Sequence, residues 1–471
     1  MNHRTNLILN TDSYKLSHDR QYPPGTRRVS SYIESRGGAF DEVLFFGLQA
    51  FLKAFLLAPI TAADIDEAEA VSVAHIGYFN RAGWQHILDK HGGFLPLEIC
   101  ALAEGSVVPN RVPVVQVINT DPDCYWLTGH IETALLRGVW YPSTVASLSR
   151  ACKKMLHGAL EQTADTFDAL PFMLHDFGAR GAASHEAAGL GGAAHLLNFQ
   201  GTDTLAALTL LRRHYGAPVA GYSIPASEHS TMTAWGRDGE TAAYRNMIQQ
   251  FGGTDKTLAF VVDSYDLWHA LDEIVGGSLR EAIIASGGRI VIRPDSGDPI
   301  AIVPRVVEHL MRHFGHSLNS KGYRVLPPYL RVVQGDGVSL DSLPRILEAM
   351  KLRAISADNL AFGMGGGLLQ QVNRDTLKWA MKASWVDIDG VGRDICKDPA
   401  TDPGKRSKAG RYAVIHENGQ YQAVREDALA GRENWLKPVF RDGRLLVDEH
   451  FEAIRQRANA QFSPAGSISN G

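Results

Sequence analysis

Cysteine is scarce in this 471-residue chain: Cys100, Cys124, Cys152 and Cys396 are the only four, far apart and without a C-x-x-C pair. That excludes a disulfide-built secreted scaffold and gives no metal-site signature. Each cysteine reads as a small buried hydrophobe. Long apolar runs are missing too. No window approaches the ~18 uninterrupted apolar residues of a membrane span, and Met1–Lys15 lacks an apolar core with a small-residue cleavage site. A cytoplasmic protein is the expectation. There is no excess of positive charge either, with 47 Lys and Arg against 51 Asp and Glu and a formal net charge of -4. A protein held on nucleic acid by bulk charge is thereby disfavoured and a small-molecule partner favoured, although local basic clusters could still bind phosphates. Low-complexity tracts, long linkers and a second repeat are absent. At 45% hydrophobic and 21% charged residues, the composition is that of a globular chain long enough for two or more layers or domains.

What is present, from about residue 170, is a repeated step. A short apolar run ends in a cluster of Gly, Asp, Arg or His, and an amphipathic stretch follows. The clusters are His175-Asp176-Phe177-Gly178, Gly201-Thr202-Asp203, Glu228-His229, Asp263-Ser264, Arg293-Pro294-Asp295, Gln334-Gly335-Asp336 and Gly363-Met364-Gly365-Gly366-Gly367, 26 to 41 residues apart when taken at residues 176, 203, 229, 263, 295, 336 and 365. One strand plus one helix per step is the βα unit of a parallel barrel or doubly wound sheet, whose functional groups collect at the carboxyl ends of the strands. Helical periodicity falls on Leu205–His214, Tyr244–Phe251, Leu279–Ala285, Val303–Phe314 and Leu340–Met350. The remainder reads as mixed α+β. Leu44–Leu57 is expected as a helix, Leu97–Ile118 as an antiparallel meander, and Pro122–Gly138 and Ser143–Leu160 as helices. Asp389-Gly390, Asp402-Pro403-Gly404 and Asn418-Gly419 mark turns, and Arg411–Ile415 with Tyr421–Val424 reads as a hairpin. Val447–Ala458 is expected as a terminal helix, with the tail folding back onto the meander. The expected fold class is α/β, a parallel barrel or an open doubly wound sheet beside a mixed α+β part in which the tail meets the N-terminal meander.

The stretch Gly221-Tyr222-Ser223-Ile224-Pro225-Ala226-Ser227-Glu228-His229-Ser230 organises the chemistry. A histidine in such a Pro-broken segment can take a proton, a metal or a phosphoryl group near neutral pH, while the bland alternative is a buried imidazole held by a backbone carbonyl. Gly365 and Gly366 offer Cβ-free backbone to an anion, or merely tight strand-to-helix packing. Arg293 and Asp295 suit a ribose phosphate, with guanidinium for phosphate and carboxylate for hydroxyls; Gly335-Asp336 repeats the theme, and each alone is an ordinary Asp-Gly turn. Phe177 sits between a carboxylate and Arg180, where a flat heteroaromatic could stack, the bland alternative being ordinary core packing. Lys397, Lys405, Arg406, Lys408 and Arg411 cluster in a broken loop that is either a solvated face or a polyphosphate site.

Together with Asn10-Thr11-Asp12-Ser13-Tyr14-Lys15, Asn119-Thr120-Asp121-Pro122 and Asn198-Phe199-Gln200, these motifs resemble the nicotinamide phosphoribosyltransferase family from residue 8 to 460. The resemblance implies an α/β fold in which an irregular parallel β/α barrel over 151–379 carries the active site, beside an α+β domain built from 1–150 plus 380–471. It also implies a homodimeric type II phosphoribosyltransferase with active sites at the interface, forming nicotinamide mononucleotide and pyrophosphate from nicotinamide and phosphoribosyl pyrophosphate. By position, Phe177 and Tyr14 of the partner subunit would sandwich the pyridine ring. Asp203 would accept from the carboxamide, with Ser223 also in the substrate-binding set. Arg180 and Arg293 would line the base and phosphate pocket; Asp295, Gly335 and Asp336 would hold ribose; Gly365 and Gly366 would take the 5′-phosphate. Arg36, Arg374, Lys382 and Lys397 would reach pyrophosphate or ATP phosphates. His229 would be a phosphohistidine formed from the co-substrate ATP, oriented by Asp263, with Mg²⁺ carried mainly on substrate phosphates and no protein metal site. The chain departs from the family pattern at Ala179, where vertebrate members carry a bulky aromatic, at Met364, and in a shorter segment after Arg36. A nicotinate phosphoribosyltransferase is the nearest alternative, and a sugar-phosphate barrel enzyme of another class a more distant one. The absence of a lysine from all seven clusters weighs against a Schiff-base aldolase.

Overall fold

The computed structural model describes residues 5–401 and 406–462, so the Asp402–Gly404 turn and Lys405 lie outside the described residues. The chain divides into two compact units. One comprises Leu148–Thr209 and Pro218–Val372; the other comprises Met1–Ser147, Leu210–Ala217 and Asn373–Gly471.

The first unit is built on six parallel strands, β1 Leu174–Asp176, β2 Gly201–Thr202, β3 Thr257–Val261, β4 Arg289–Arg293, β5 Leu330–Gln334 and β6 Leu360–Met364, in the order β2-β1-β6-β5-β4-β3. In β3, Leu258 to Val261 are all buried, as are Ile290, Val291 and Ile292 in β4; near-continuous apolar runs mark parallel strands covered on both faces. One face of the curled sheet packs Ala259, Val291 and Val333 together with Ile224 and Ala361. The other is covered by helices such as Pro299–Phe314, whose Val303, Val306, Val307, Leu310 and Phe314 are buried on one stripe. That helix starts where the Asp298 carboxylate accepts from the Ile300 amide at 3.1 Å, with Pro299 in its first turn.

The Pro-broken stretch Tyr222–Ser227 lies between the two sheet edges. Tyr222 forms a parallel bridge to Gly201 in β2 and Ala226 one to Ala259 in β3. The hydrogen bonds run from the Thr202 amide to the Tyr222 carbonyl (3.0 Å), from the Ala259 amide to the Pro225 carbonyl (2.9 Å) and from the Ser227 amide to the Ala259 carbonyl (3.0 Å). Pro225 has no N–H to donate and cannot pair on both sides. The seventh step expected from the sequence is therefore two isolated bridges rather than a regular strand, and the barrel is irregular at that point.

In the second unit a seven-stranded antiparallel sheet runs Val391–Asp394, Ala380–Ile388, Thr26–Glu34, Val115–Asn119, Leu97–Ala101, Lys437–Arg441, Arg444–Leu445. The pairing of Lys437–Arg441 with Leu97–Ala101 and of Ala380–Ile388 with Thr26–Glu34 puts tail and meander in one sheet. Leu97–Ala101 and Val115–Asn119 alternate buried and half-buried residues along their length, as a sheet with one packed face requires. Val107–Pro109 leaves the meander to pair with Glu42–Leu44, and that strand shortens the expected 44–57 helix to Leu48–Phe51 followed by a π-turn at Leu52–Leu56. The helix expected over Pro122–Gly138 is instead a 3-10 turn at Pro122–Cys124 and a short helix Leu127–His130, and a long helix Glu132–Thr163, with Pro142 inside, takes in the expected Ser143–Leu160. The proline is accommodated because Gly47, at φ +103, brings bare backbone against its ring and the Gly138 carbonyl, where a Cβ would collide. Cys396 is exposed and Cys100 half-buried, leaving Cys124 and Cys152 as buried thiols. The terminal helix is Phe451–Asn459, and Tyr412–Glu417 pairs with Gln420–Arg425 as a hairpin.

Candidate active site

The carboxyl ends of the barrel strands carry a connected set of polar side chains. After the extended Glu228, a five-residue helix begins at His229. The His229 ring Nε2 lies 2.9 Å from Asp263 Oδ1, beyond the end of β3. The imidazole is 47% exposed and the carboxylate 3%, so one face of the ring is held and the rest is open to a reactant. Asp263 Oδ2 accepts from the Asp295 amide at 2.9 Å and from the Ser296 hydroxyl at 2.5 Å. Burial alone would raise the Asp263 carboxyl, but the Ser296, His229 and Asp295 hydrogen bonds hold it below its ordinary value. It therefore stays ionised beside the ring.

From Asp295 the set continues to Arg293, which grips it through Nη2 at 2.8 Å and Nε at 3.3 Å. The Arg293 guanidinium stands 5.8 Å from the centroid of the Phe177 ring. Phe177 is placed by its amide, which donates to the Met364 carbonyl at 3.0 Å, and by two glycines. A Cβ at Gly363 would fall 2.0 Å from its ring, and one at Gly335 would meet Asp295, Arg293 and Phe177 within 3.6 Å. Behind the ring, the buried Asp176 accepts from the Gly178 amide at 2.8 Å, and burial pushes its carboxyl up.

Phe177, Arg293, Asp203, Ser223 and His175 open onto a cavity of about 430 Å³. It is also lined by Thr257, Arg289 and Arg331, from the amino ends of β3, β4 and β5, so it runs the length of the barrel. The Ser223 hydroxyl donates to Asp203 Oδ1 at 2.5 Å. Burial lowers the His175 pKa, partly offset by the Asp203 charge, which leaves a neutral imidazole in the lining near neutral pH. An aromatic face, a carboxylate with its hydroxyl, and a guanidinium around a mostly apolar cavity make a binding site for a flat polar ring. The His229–Asp263 pair beside it has the geometry a nucleophile with an orienting partner requires.

Comparison with known proteins places this arrangement. A model described as the nicotinate phosphoribosyltransferase (NAPRTase) family matches residues 172–443, and one described as the nicotinamide phosphoribosyltransferase N-terminal domain matches residues 6–99. The chain belongs to the nicotinate phosphoribosyltransferase family. A nicotinamide phosphoribosyltransferase of Xanthomonas campestris pv. campestris is 50% identical over 98% of this chain and 99% of its own length. One from Acinetobacter baylyi is 32% identical over 98% and 99%. A crystal structure of nicotinate-nucleotide pyrophosphorylase from Pyrococcus furiosus shares the fold with a TM-score of 0.63 at 15% identity, covering 98% of this chain and 97% of that one.

In this phosphoribosyltransferase the barrel unit brings together His229, Asp263, Asp295, Arg293, Phe177 and Gly335 by direct contacts, and Asp203 with Ser223 on the same cavity. Arg180, in the turn Ala179–Gly181, and Asp336 are exposed at the same strand ends. Gly365 and Gly366 begin a short turn after β6, with nothing within 4 Å of where a Gly366 Cβ would stand. Tyr14, Arg36, Arg374, Lys382 and Lys397 belong to the other unit. There Tyr14 is 60% exposed. Burial lowers the Lys382 pKa; Glu132 opposes the shift, while Arg36, Arg374 and Lys15 reinforce it. Arg36 Nη2 is buried without a hydrogen-bond partner, and Lys397 is exposed. Cations are gathered around Lys382.

Sequence reading did not single out Ser296, His175, Arg289 or Arg331. Ser296 could have been found, because it directly follows Asp295. The arginines lie at the amino ends of strands, where nothing local distinguishes a cavity-lining cation from a solvated one. Among the described residues, no three His, Cys, Asp or Glu side chains in the barrel converge as metal ligands.

Proposed function

We propose that this enzyme transfers the phosphoribosyl group of phosphoribosyl pyrophosphate to nicotinamide, and that ATP drives the reaction through phosphorylation of His229. The observation that carries the reading is Asp203 with its Ser223 hydrogen bond, facing the cavity beside Phe177. A carboxylate there accepts from an amide NH₂ and repels a carboxylate, which favours nicotinamide over nicotinate. The 50% identical relative with the same printed activity supports it.

In the transfer, the pyridine nitrogen forms a bond to ribose C1 as the bond from C1 to pyrophosphate oxygen breaks. Nicotinamide mononucleotide and pyrophosphate are the products. Phe177 holds the ring plane, with Tyr14 of the partner subunit on the opposite face of a homodimer. Asp295 and Asp336 hold the ribose hydroxyls, Arg180 and Arg293 balance phosphate charge, and the bare backbone of Gly365 and Gly366 takes the 5′-phosphate. Arg36, Arg374, Lys382 and Lys397 stabilise the leaving pyrophosphate and the ATP phosphates, which is where the transition state builds negative charge.

Magnesium would ride mainly on these phosphates, with the carboxylates of Asp295 and Asp336 as hard oxygen donors on the protein side. When bound, Mg²⁺ neutralises phosphate charge. His229 acts as acceptor of the ATP γ-phosphoryl group, and ADP departs. The Asp263 carboxylate fixes the ring so that the nitrogen not facing it is free to attack, and phosphoryl transfer to imidazole needs such positioning more than a strong base. Incubation with γ-labelled ATP and Mg²⁺ should label an acid-labile, base-stable site in wild type and none in His229→Ala. Equal labelling of both removes the phosphohistidine.

A further inference from the structure

We propose a second site in the other unit: a transition-metal centre of zinc type, ligated by His86, Asp121 and Cys124, with Asp123 at its open edge. One nitrogen, one oxygen and one sulfur of the first three residues all lie within 4.8 Å of one another, the only such group among the described residues. The set comes from two separate elements. His86 is on the helix Arg81–His91, while Asp121 and Cys124 frame the turn that follows the strand Val115–Asn119. His86 Nε2 stands 2.9 Å from Asp121 Oδ2 and 3.8 Å from Asp123 Oδ2.

The donor types select the ion. A thiolate, an imidazole and a carboxylate suit a borderline-soft cation that accepts four ligands, and do not suit Ca²⁺ or Mg²⁺, which want oxygen alone. The Asp121 carboxylate is 4% exposed and Cys124 fully buried, whereas His86 is part-exposed and gives an ion a way in. The carboxylate is also held as metal ligands are held. Its Oδ1 accepts from the Asp123 amide at 3.0 Å, and His91 Nε2 lies 2.6 Å from Oδ2. Such outer partners orient a ligating group and raise its affinity. Lys90 Nζ, 3.0 Å from Oδ2, occupies the charge position a cation would take; its side chain is 56% exposed and free to swing into water. The metal would tie the middle of one helix to the turn that follows the strand Val115–Asn119, a structural role apart from the barrel chemistry.

Full-length protein stripped with a chelator and titrated with Co²⁺ under reducing, oxygen-free conditions tests this. The expected result is one cobalt per chain, with thiolate-to-cobalt charge-transfer absorption and four-coordinate d–d bands that Zn²⁺ bleaches. Cys124→Ser should lose the charge-transfer band. If that variant fails to fold, His86→Gln, at a part-exposed position, should weaken cobalt binding by about tenfold or more, and His91→Ala by about 10- to 100-fold. Failure of wild type to retain one equivalent of cobalt, unaltered binding in His86→Gln, or a charge-transfer band that survives Cys124→Ser overturns the site.

Discussion

At position 203 a carboxylate takes the Ser223 hydroxyl at 2.5 Å and faces the barrel cavity. A substrate amide can donate to it, while a substrate carboxylate meets like charge. Asp203→Asn removes the repulsion and keeps an acceptor. Its ratio of kcat/KM for nicotinamide over nicotinate should fall about tenfold or more, which is roughly 1.4 kcal/mol of discrimination; an unchanged ratio would mean that other groups choose the substrate. Gly363 makes a different residue-scale argument. Its missing Cβ is the space the Phe177 ring fills, so Gly363→Ala overpacks the site at a cost of about 1–3 kcal/mol. The expected outcome is a lower Tm and a raised KM for nicotinamide, since the stacking face must move; a variant with wild-type KM would place the ring elsewhere during catalysis.

At the scale of elements, the barrel was legible because parallel strands covered on both faces read as apolar runs, and their carboxyl ends broke into Gly, Asp and Arg. All six regular strands end within two residues of the clusters seen in the sequence. What could not be read was long-range compensation. Two helices were expected on either side of residue 140, but one runs through Pro142, with Gly47, far away in sequence, packing bare backbone against its ring. The Tyr222–Ser227 stretch looked like a strand of the series, but Pro225 allows it only two bridges. That irregularity serves the site: it turns the chain so that Ser223 meets Asp203 while His229, six residues on, meets Asp263. His86, Asp121 and Cys124 were invisible as a group because their spacing matches no ligand motif, and only folding brings them together.

For the whole molecule, the two units carry different chemistry. Aromatic, carboxylate and imidazole groups lie in the barrel, and a crowd of cations, Lys15, Arg36, Arg374 and Lys382, lies in the other unit. The second unit also holds a pH-sensitive group in its core. Burial pushes the Glu104 carboxyl up to about 7, despite hydrogen bonds from the Gln49 amide and the Tyr215 hydroxyl. Between the ordinary glutamate value near ~4.3 and about 7 the folded state keeps a proton that the unfolded state has released, so stability falls as pH rises through that window. A Tm-against-pH series should show this decline in wild type and a flatter profile in Glu104→Gln; parallel profiles would assign the decline to other groups. The account's central claim is an amide-selective, ATP-driven phosphoribosyl transfer. The most direct measurement gives the enzyme an equimolar mixture of nicotinamide and nicotinate with phosphoribosyl pyrophosphate and Mg²⁺, and quantifies both mononucleotides with and without ATP. The prediction is that nicotinamide mononucleotide dominates and that ATP raises its yield in wild type but not in His229→Ala. Predominance of nicotinate mononucleotide, or an ATP effect unaltered by the loss of His229, would contradict it.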